Sequence, residues 1–438
     1  MAKAKKFTAF VAQLGIVAVL LAALTGSANA AAGDLDTSFG SPNGFVTTDI
    51  STKTDEANAV AVQADGKIIA AGYSSYGGIT AKDFTLARYS AAGVPDSGFG
   101  LGGKKVTAVA NGNLNDLINA IALQTDGNIV VAGPVNISGG KSVFGLARYL
   151  STTGALDPSF GSGGIVTTSL SLNNDIPTAI VIQSDHKIVV GGSANGNFAV
   201  ARYTAAGALD TATFGAGLGF ATTDFGGTDL ANALVIQPAD GKLILGGDTT
   251  VGTTGRDFAL VRYTSAGLID LSFNGTGKVT TNFLLHSNDF IEGLALQATG
   301  EIVAAGYSSS PGTDEFALAR YTSGGQVDGT FGGSGFFTTP IGATADEAHA
   351  VTVLPTGRII VAGFSNQGLT RLNDFALARY MITGTLDTAF GVGGIVTTTL
   401  RVCEFIQFPA DFLRPNDKKP ANSMLGRDKF TTSDRHQR

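Results

Sequence analysis

The chain has 438 residues, of which 60 are Gly, 12 are Pro, one is Cys and none is Trp; 44% are hydrophobic, 15% are charged, and the formal net charge is -6. An apolar fraction near the globular average with so small a charge excludes a disordered chain, one Cys excludes a disulfide scaffold, and Gly at about a seventh of the chain excludes collagen. The acidic balance argues against a nucleic-acid binder.

Residues 1–30 read as an export signal. Lys3, Lys5 and Lys6 form a positive start, the apolar run Gly15 to Leu24 follows, and Ala28-Asn29-Ala30 supplies a small-residue cleavage site. The run is short for a span of ~20 residues. The expectation is therefore cleavage after Ala30 and a secreted, periplasmic or cell-surface location. No later run reaches membrane length, so the mature chain is expected to have no membrane span.

From residue 33 to 400 one motif recurs. Ala-Arg-Tyr, once Val-Arg-Tyr, places an Arg at Arg88, Arg148, Arg202, Arg262, Arg320 and Arg379. A second marker sets Phe three or four residues after Asp, at Asp36/Phe39, Asp96/Phe99, Asp157/Phe160, Asp210/Phe214, Asp270/Phe273, Asp328/Phe331 and Asp387/Phe390. Each unit reads as four short strands. In the second unit, Asn119 to Gln124 and Ile129 to Gly133 flank Asp126-Gly127, a hairpin signal because both residues tolerate positive φ. Phe144 to Tyr149 reads as a third strand and Gly164 to Ser169 as a fourth. Helix periodicity is absent. Four strands per unit of about 59 residues predict an all-β fold, a β-propeller of six four-stranded blades. The markers number one more than the hairpins, so a seven-bladed design with an incomplete last blade stays open. Residues 401–438 hold one Gly, the single Cys403 and none of the markers, and read as a disordered tail.

The pattern from Ala59 to Gly72 (Ala-x-Ala-x-Gln-x-Asp-Gly-Lys-Ile-x-x-Ala-Gly), then Asp83 to Tyr89, then Leu-Asp-x-x-Phe-Gly, resembles the bacterial delta-60 repeat, a propeller domain of unknown function. The resemblance covers roughly residues 33 to 400. It implies a propeller on an exported bacterial protein and carries over no functional residue, reaction or cofactor.

The six copies can be compared with one another. The Arg recurs in all six; Arg88 shares a strand face with Phe84 and Leu86, so it should be partly buried and paired with a carboxylate. Two candidates recur: the marker Asp, and an Asp four residues before Ala or Gly at the start of the inner strand, namely Asp55, Asp116, Asp175, Asp229, Asp289 and Asp346. Six identical copies point to a structural clasp rather than to a binding site. The recurrent Gly72, Gly133, Gly192, Gly247, Gly306 and Gly363 require either close packing or positive φ.

Catalytic and metal patterns are absent: no Gly-x-Ser-x-Gly elbow, no zinc spacing, no EF-hand, no Walker sequence. No catalytic residue and no cofactor is assigned. Calcium at the Asp-Gly turns stays an open alternative, although each turn brings one carboxylate and calcium takes six to eight oxygens. Of the four His, His186 reads as a solvated turn residue and His349 as structural near the channel mouth; His286 and His436 join no cluster. An enzyme would need one unit to break the pattern with convergent polar residues, and the unit spanning Asn282 to Glu301, with Phe283, Leu284, His286 and Glu292, departs most. Loops between second and third strands vary from Ser193-Ala194-Asn195-Gly196 to Ser365 through Asn373 and share one face, where recognition usually resides. The expected function is a monomeric, non-enzymatic module that binds protein or glycan through that face. The alternatives are a secreted hydrolase or lyase working at the channel mouth, and a purely structural envelope module.

Overall fold

Strands rich in β-branched residues and closed by Asp-Gly or Thr-Gly turns cannot bury two apolar faces alone; they must stack. The computed structural model describes residues 32–399 except 52, 76–80, 111–113, 251–254, 285–286, 311 and 369–372. The export signal ending at Ala30, His286, and the tail with Cys403 and His436 lie outside the described residues. Within them the chain forms six antiparallel sheets of four strands, each in sequence order, at 55–107, 120–168, 175–223, 229–281, 288–339 and 346–398. They are the blades of a six-bladed β-propeller. The first blade pairs Asp55–Val62 with Ile68–Ser75, then Lys82–Tyr89, then Lys104–Thr107. The only helical turn among the described residues is a short 3-10 segment, Gly215–Gly217. No helix among them is long and apolar enough to cross a membrane.

Neighbouring blades share cores. Phe84 and Leu86 of the first blade pack with Ile121, Ile129, Val131 and Tyr149 of the second, and each later pair of blades repeats this arrangement. The second strands of the inner blades, such as Ile129–Asn136 and Leu243–Thr250, are buried on both faces because a neighbour covers each side.

The Arg of each unit pairs with the marker carboxylate: Arg88–Asp96 at 3.0 Å, Arg148–Asp157 at 2.9 Å, Arg202–Asp210 at 3.0 Å, Arg262–Asp270 and Arg320–Asp328 at 2.8 Å, and Arg379–Asp387 at 2.9 Å. The inner-strand Asp residues are not the partners, which corrects one of the two expectations. Their strand begins where the third strand starts, while the Arg sits at the third strand's far end. At about 3.3 Å per residue that separation is roughly 20 Å. Instead these Asp side chains accept backbone N–H groups of the incoming segment: Asp116 from Val109 and Ala110, Asp175 from Leu170 and Ser171, Asp346 from Ile341 and Gly342. Asp55, Asp229 and Asp289 do the same for Ile50, Phe225 and Phe283.

Each Arg also reaches onward. Its guanidinium lies over the marker Phe, between 4.4 Å for Phe99 and 4.8 Å for Phe160. In the first five blades it donates to a carbonyl of the next blade, for instance Arg202 to Ser265 and Arg320 to Ile382, both at 2.6 Å. The marker Phe fills the hollow over a turn glycine of the next blade: a Cβ on Gly154 would meet the Phe99 ring at 2.7 Å, and one on Gly207 the Phe160 ring at 2.9 Å.

Removing Arg148 leaves the buried Asp157 without another cation among the described residues, whereas Lys187 stays 3.3 Å from Asp210 when Arg202 is removed. Arg148→Ala should therefore lose about 3 kcal/mol in urea unfolding, and Arg202→Ala measurably less. Equal losses, or none, would contradict the clasp.

Candidate functional site

Every inner strand carries one extra residue. The register slips between Ala57 and Ala59, Ala231 and Ala233, Ile291 and Gly293, and Ala348 and Ala350. The bulged residues are Asn58, Asn232, Glu292 and His349, with Thr178 in the third blade and Asn119 at the matching place in the second. The bulge drives the inner strand onto its neighbour. A Cβ on Gly72, Gly133, Gly192, Gly247, Gly306 or Gly363 would sit 1.6–2.1 Å from the carbonyl oxygen two residues before the bulge. Close approach, not positive φ, is therefore what makes these glycines recur.

Bulged side chains tie the channel wall together. Asn58 donates to the carbonyl of Ile118 at 2.7 Å, Asn119 to Pro177 at 2.9 Å, Thr178 to Ala231 at 2.7 Å and Asn232 to Ile291 at 2.9 Å. Among the described residues the series stops at Glu292, where a carboxyl replaces the amide or hydroxyl of the earlier blades. His349 ends it with a buried Nε2 that makes no hydrogen bond and lies 3.5 Å from Glu347.

This break anchors a cluster on the end of the blades where second strands finish and third strands begin. Asp248 lies in the fourth blade; Glu292, Tyr307 and Asp314 in the fifth; Glu347 and His349 in the sixth. Phe290 stacks on Tyr307 with centroids 4.6 Å apart. Arg256 pairs with the buried Asp248 and lies 5.8 Å from the Phe290 ring. Burial pushes the Glu292 carboxyl up to about 8, helped by the charges of Asp248 and Glu347. Burial and Asp314 raise Glu347 to about 7. Burial lifts Asp248 to about 6 against the pull of Arg256, and lowers His349 to about 4, so that its ring is neutral at pH 7. Tyr307 is raised by burial and by the surrounding carboxylates. The arrangement presents a neutral Glu292 carboxyl, which donates as well as accepts hydrogen bonds, beside an aromatic pair.

A smaller group stands on the first blade. Tyr73 donates to Glu56 at 2.6 Å, and the Lys82 ammonium sits 3.8 Å from the Tyr73 ring. On the clasp face, a shallow depression of about 450 Å³ lined by Ala212, Thr213, Ala216, Gly217, Ala266 and Leu268 offers no titratable group.

Sequence reasoning singled out Glu292 and its unit but missed Asp248, Tyr307, Asp314 and Glu347. The signal lies in the columns. The place held by Leu117, Ile176, Leu230 and Phe290 carries Glu56 in the first unit and Glu347 in the last. His186 sits in its turn with φ of 65° and contacts Thr125 at 3.2 Å. Among the described residues no three His, Cys, Asp or Glu side chains group to hold a metal. The loop from Ser365 to Asn373 lies partly outside the described residues.

Six segments of the chain, 63–99, 124–160, 183–212, 239–273, 297–331 and 354–390, match the family described as a domain of unknown function (DUF5122) beta-propeller. No curated protein matches the chain. Among solved structures, a glucose dehydrogenase is 12% identical over 69% of this chain and 92% of its own, with a TM-score of 0.40. A gluconolactonase from Xanthomonas campestris is 12% identical over 69% and 88%, with a TM-score of 0.34. Sqt1 from Chaetomium thermophilum is 14% identical over 77% and 84%, with a TM-score of 0.39. At these identities and TM-scores none of them bears on what this chain does.

Glu292 holds its proton to about pH 8 when folded but, at its ordinary value of 4.5, releases it when unfolded. Folding therefore takes up a proton between those values, and stability falls as pH rises through them. Glu292→Gln keeps the neutral shape. It should raise the Tm by several degrees above pH 8 and leave it unchanged near pH 4.5; an equal shift at both ends would contradict the buried, neutral carboxyl.

Proposed function

We propose, on the premise that six segments of this chain are DUF5122 beta-propeller repeats, that the protein is an exported, monomeric, non-catalytic module that binds a glycan or a protein chain with its loop face. The units are of the delta-60 kind. Export rests on Lys3, Lys5 and Lys6, the apolar run behind them and the site after Ala30. The observation that carries the binding reading is the cluster at Glu292. Carboxyl groups raised toward neutrality stand next to the stacked Phe290 and Tyr307, where Glu292 and His349 depart from the repeat. Aromatic faces with hydrogen-bonding carboxyls suit sugar rings and polar peptide segments, and the variable loops on the same face add contacts.

The same cluster favours a second reading. A carboxyl that keeps its proton near neutral pH is what a general acid requires, so a hydrolase or lyase using Glu292 or Glu347 is the alternative.

One experiment separates them. The chain beginning at Ala31 is applied to immobilised glycans and cell-wall fragments, with Tyr307→Ala and Glu292→Gln as variants. Binding that Tyr307→Ala weakens roughly tenfold without product formation supports the module. Release of cleaved product, abolished by Glu292→Gln, supports the enzyme. A chain that binds neither glycan nor envelope protein through this face refutes both.

A further inference from the structure

The ring has seven steps and six complete blades. Successive blades are joined by the same backbone bond at the rim: Gly100 to the carbonyl of Thr153, Gly161 to Ala206, Gly215 to Ala266, Asn274 to Gly324 and Gly332 to Thr383, at 2.8–2.9 Å. Two more bonds of this kind involve the segment before the first blade. Gly391 of the sixth blade donates to Ala32, and Gly40 donates to Ala92 of the first blade, both at 2.9 Å. The glycine packing repeats as well: a Cβ on Gly33 would meet Phe390 at 3.2 Å, and one on Gly93 would meet Phe39 at 3.1 Å. The segment from Ala32 to Ile50 therefore stands one step from both the sixth and the first blade. It provides the rim of a seventh blade, including Phe45 to Thr48 at the place of a fourth strand, but those residues pair with no third strand among the described residues.

The faces on either side of this step are less buried than their counterparts elsewhere in the ring. Leu377 is half-buried, whereas Leu86, Leu146, Val200, Leu260 and Leu318 at its place are fully buried. Ile360 is half-buried, whereas Ile69, Val130, Val189, Ile244 and Val303 are fully buried. Across the gap, Ile68 and Tyr89 of the first blade are half-buried where Ile129 and Tyr149 of the second are fully buried. His349 adds a polar mark. It is 5% exposed, its Nε2 makes no hydrogen bond and lies 3.5 Å from Glu347, and it holds the bulge position from which Asn58, Asn119, Thr178 and Asn232 bond the next inner strand.

From this geometry we infer that the gap between the sixth and first blades is an acceptor slot for a three-stranded β-meander of this same repeat pattern, supplied in addition to the six units. The rim segment pairs with its third strand, Leu377 and Ile360 cover one of its faces, Ile68 and Tyr89 the other, and the neutral His349 ring donates to an inner-strand carbonyl. Residues 401–438 do not fit the slot's chemistry: they carry no Asp-Gly hairpin turn and no Arg-Tyr, and they hold eight Lys and Arg. The occupant is therefore a repeat-type meander, an added strand set completing a sheet edge.

The test uses the full chain and, as probe, residues 344–382 of the sixth unit fused to a soluble carrier. The expected result is one-to-one capture, a Tm raised by several degrees, and reduced fluorescence of a dye that reports exposed apolar surface. Leu377→Lys in the acceptor, at a half-buried site, should keep the fold by circular dichroism yet weaken capture roughly tenfold or more. Two results overturn the inference. One is no capture by a folded acceptor. The other is a stable dimer of the chain that Leu377→Lys breaks and the probe cannot displace, which would put a second copy in the slot.

Discussion

Everything in this molecule depends on the clasp that passes from each blade to the next. One Arg stacks on its own marker Phe, pairs with its own marker Asp and donates to the neighbour's carbonyl, while the Phe fills a hollow that only a glycine leaves open. Sheets that are apolar on both faces have no stable existence apart from one another. A charged group buried at each junction is tolerated because a carboxylate pairs with it, and in the first five blades its bond to the neighbour's carbonyl ties the two blades together. The marker carboxylates show it. Burial alone would raise Asp270, but the Ser272 hydroxyl, Lys242 and Arg262 outweigh burial and hold it at about 2.

The two ends of the disc are under different constraints. On the clasp face every unit repeats the same residues because every junction is the same. On the other end, the inner-strand Asp caps the incoming backbone, and beyond it the columns vary freely. Charge collects there in the fourth, fifth and sixth blades, where Glu292 and His349 replace the amide and hydroxyl donors of the earlier blades. A propeller can depart from its pattern on that end without loosening the clasps, which is a physical reason for recognition or chemistry to reside there.

Much of the fold was legible in the chain. The Asp-Gly turns, the Arg-Tyr strands and the Asp/Phe markers are local features; counting the hairpins pointed to six blades, while the seven markers left a seventh open. Burial of Arg88 followed from its sharing a strand face with Phe84 and Leu86. The choice between its two carboxylates did not follow, because it depends on which end of an antiparallel sheet each group occupies. The bulge was invisible for a similar reason. An extra residue shows only against the register of its partner strand, so Asn58 and Glu292 look ordinary along the sequence.

By itself the sequence determined the repeat, its length, the strand and turn chemistry, and the one unit that departs from the rest, since these are set by neighbours within a few residues. Only the tertiary structure decided that Gly72 and its counterparts answer a bulge, that Asp248 and Glu347 lie close enough to raise Glu292, and that the segment from Ala32 to Ile50 occupies a seventh step. Each of these depends on distances between blades. Such distances arise from packing a whole ring, and no local pattern encodes them.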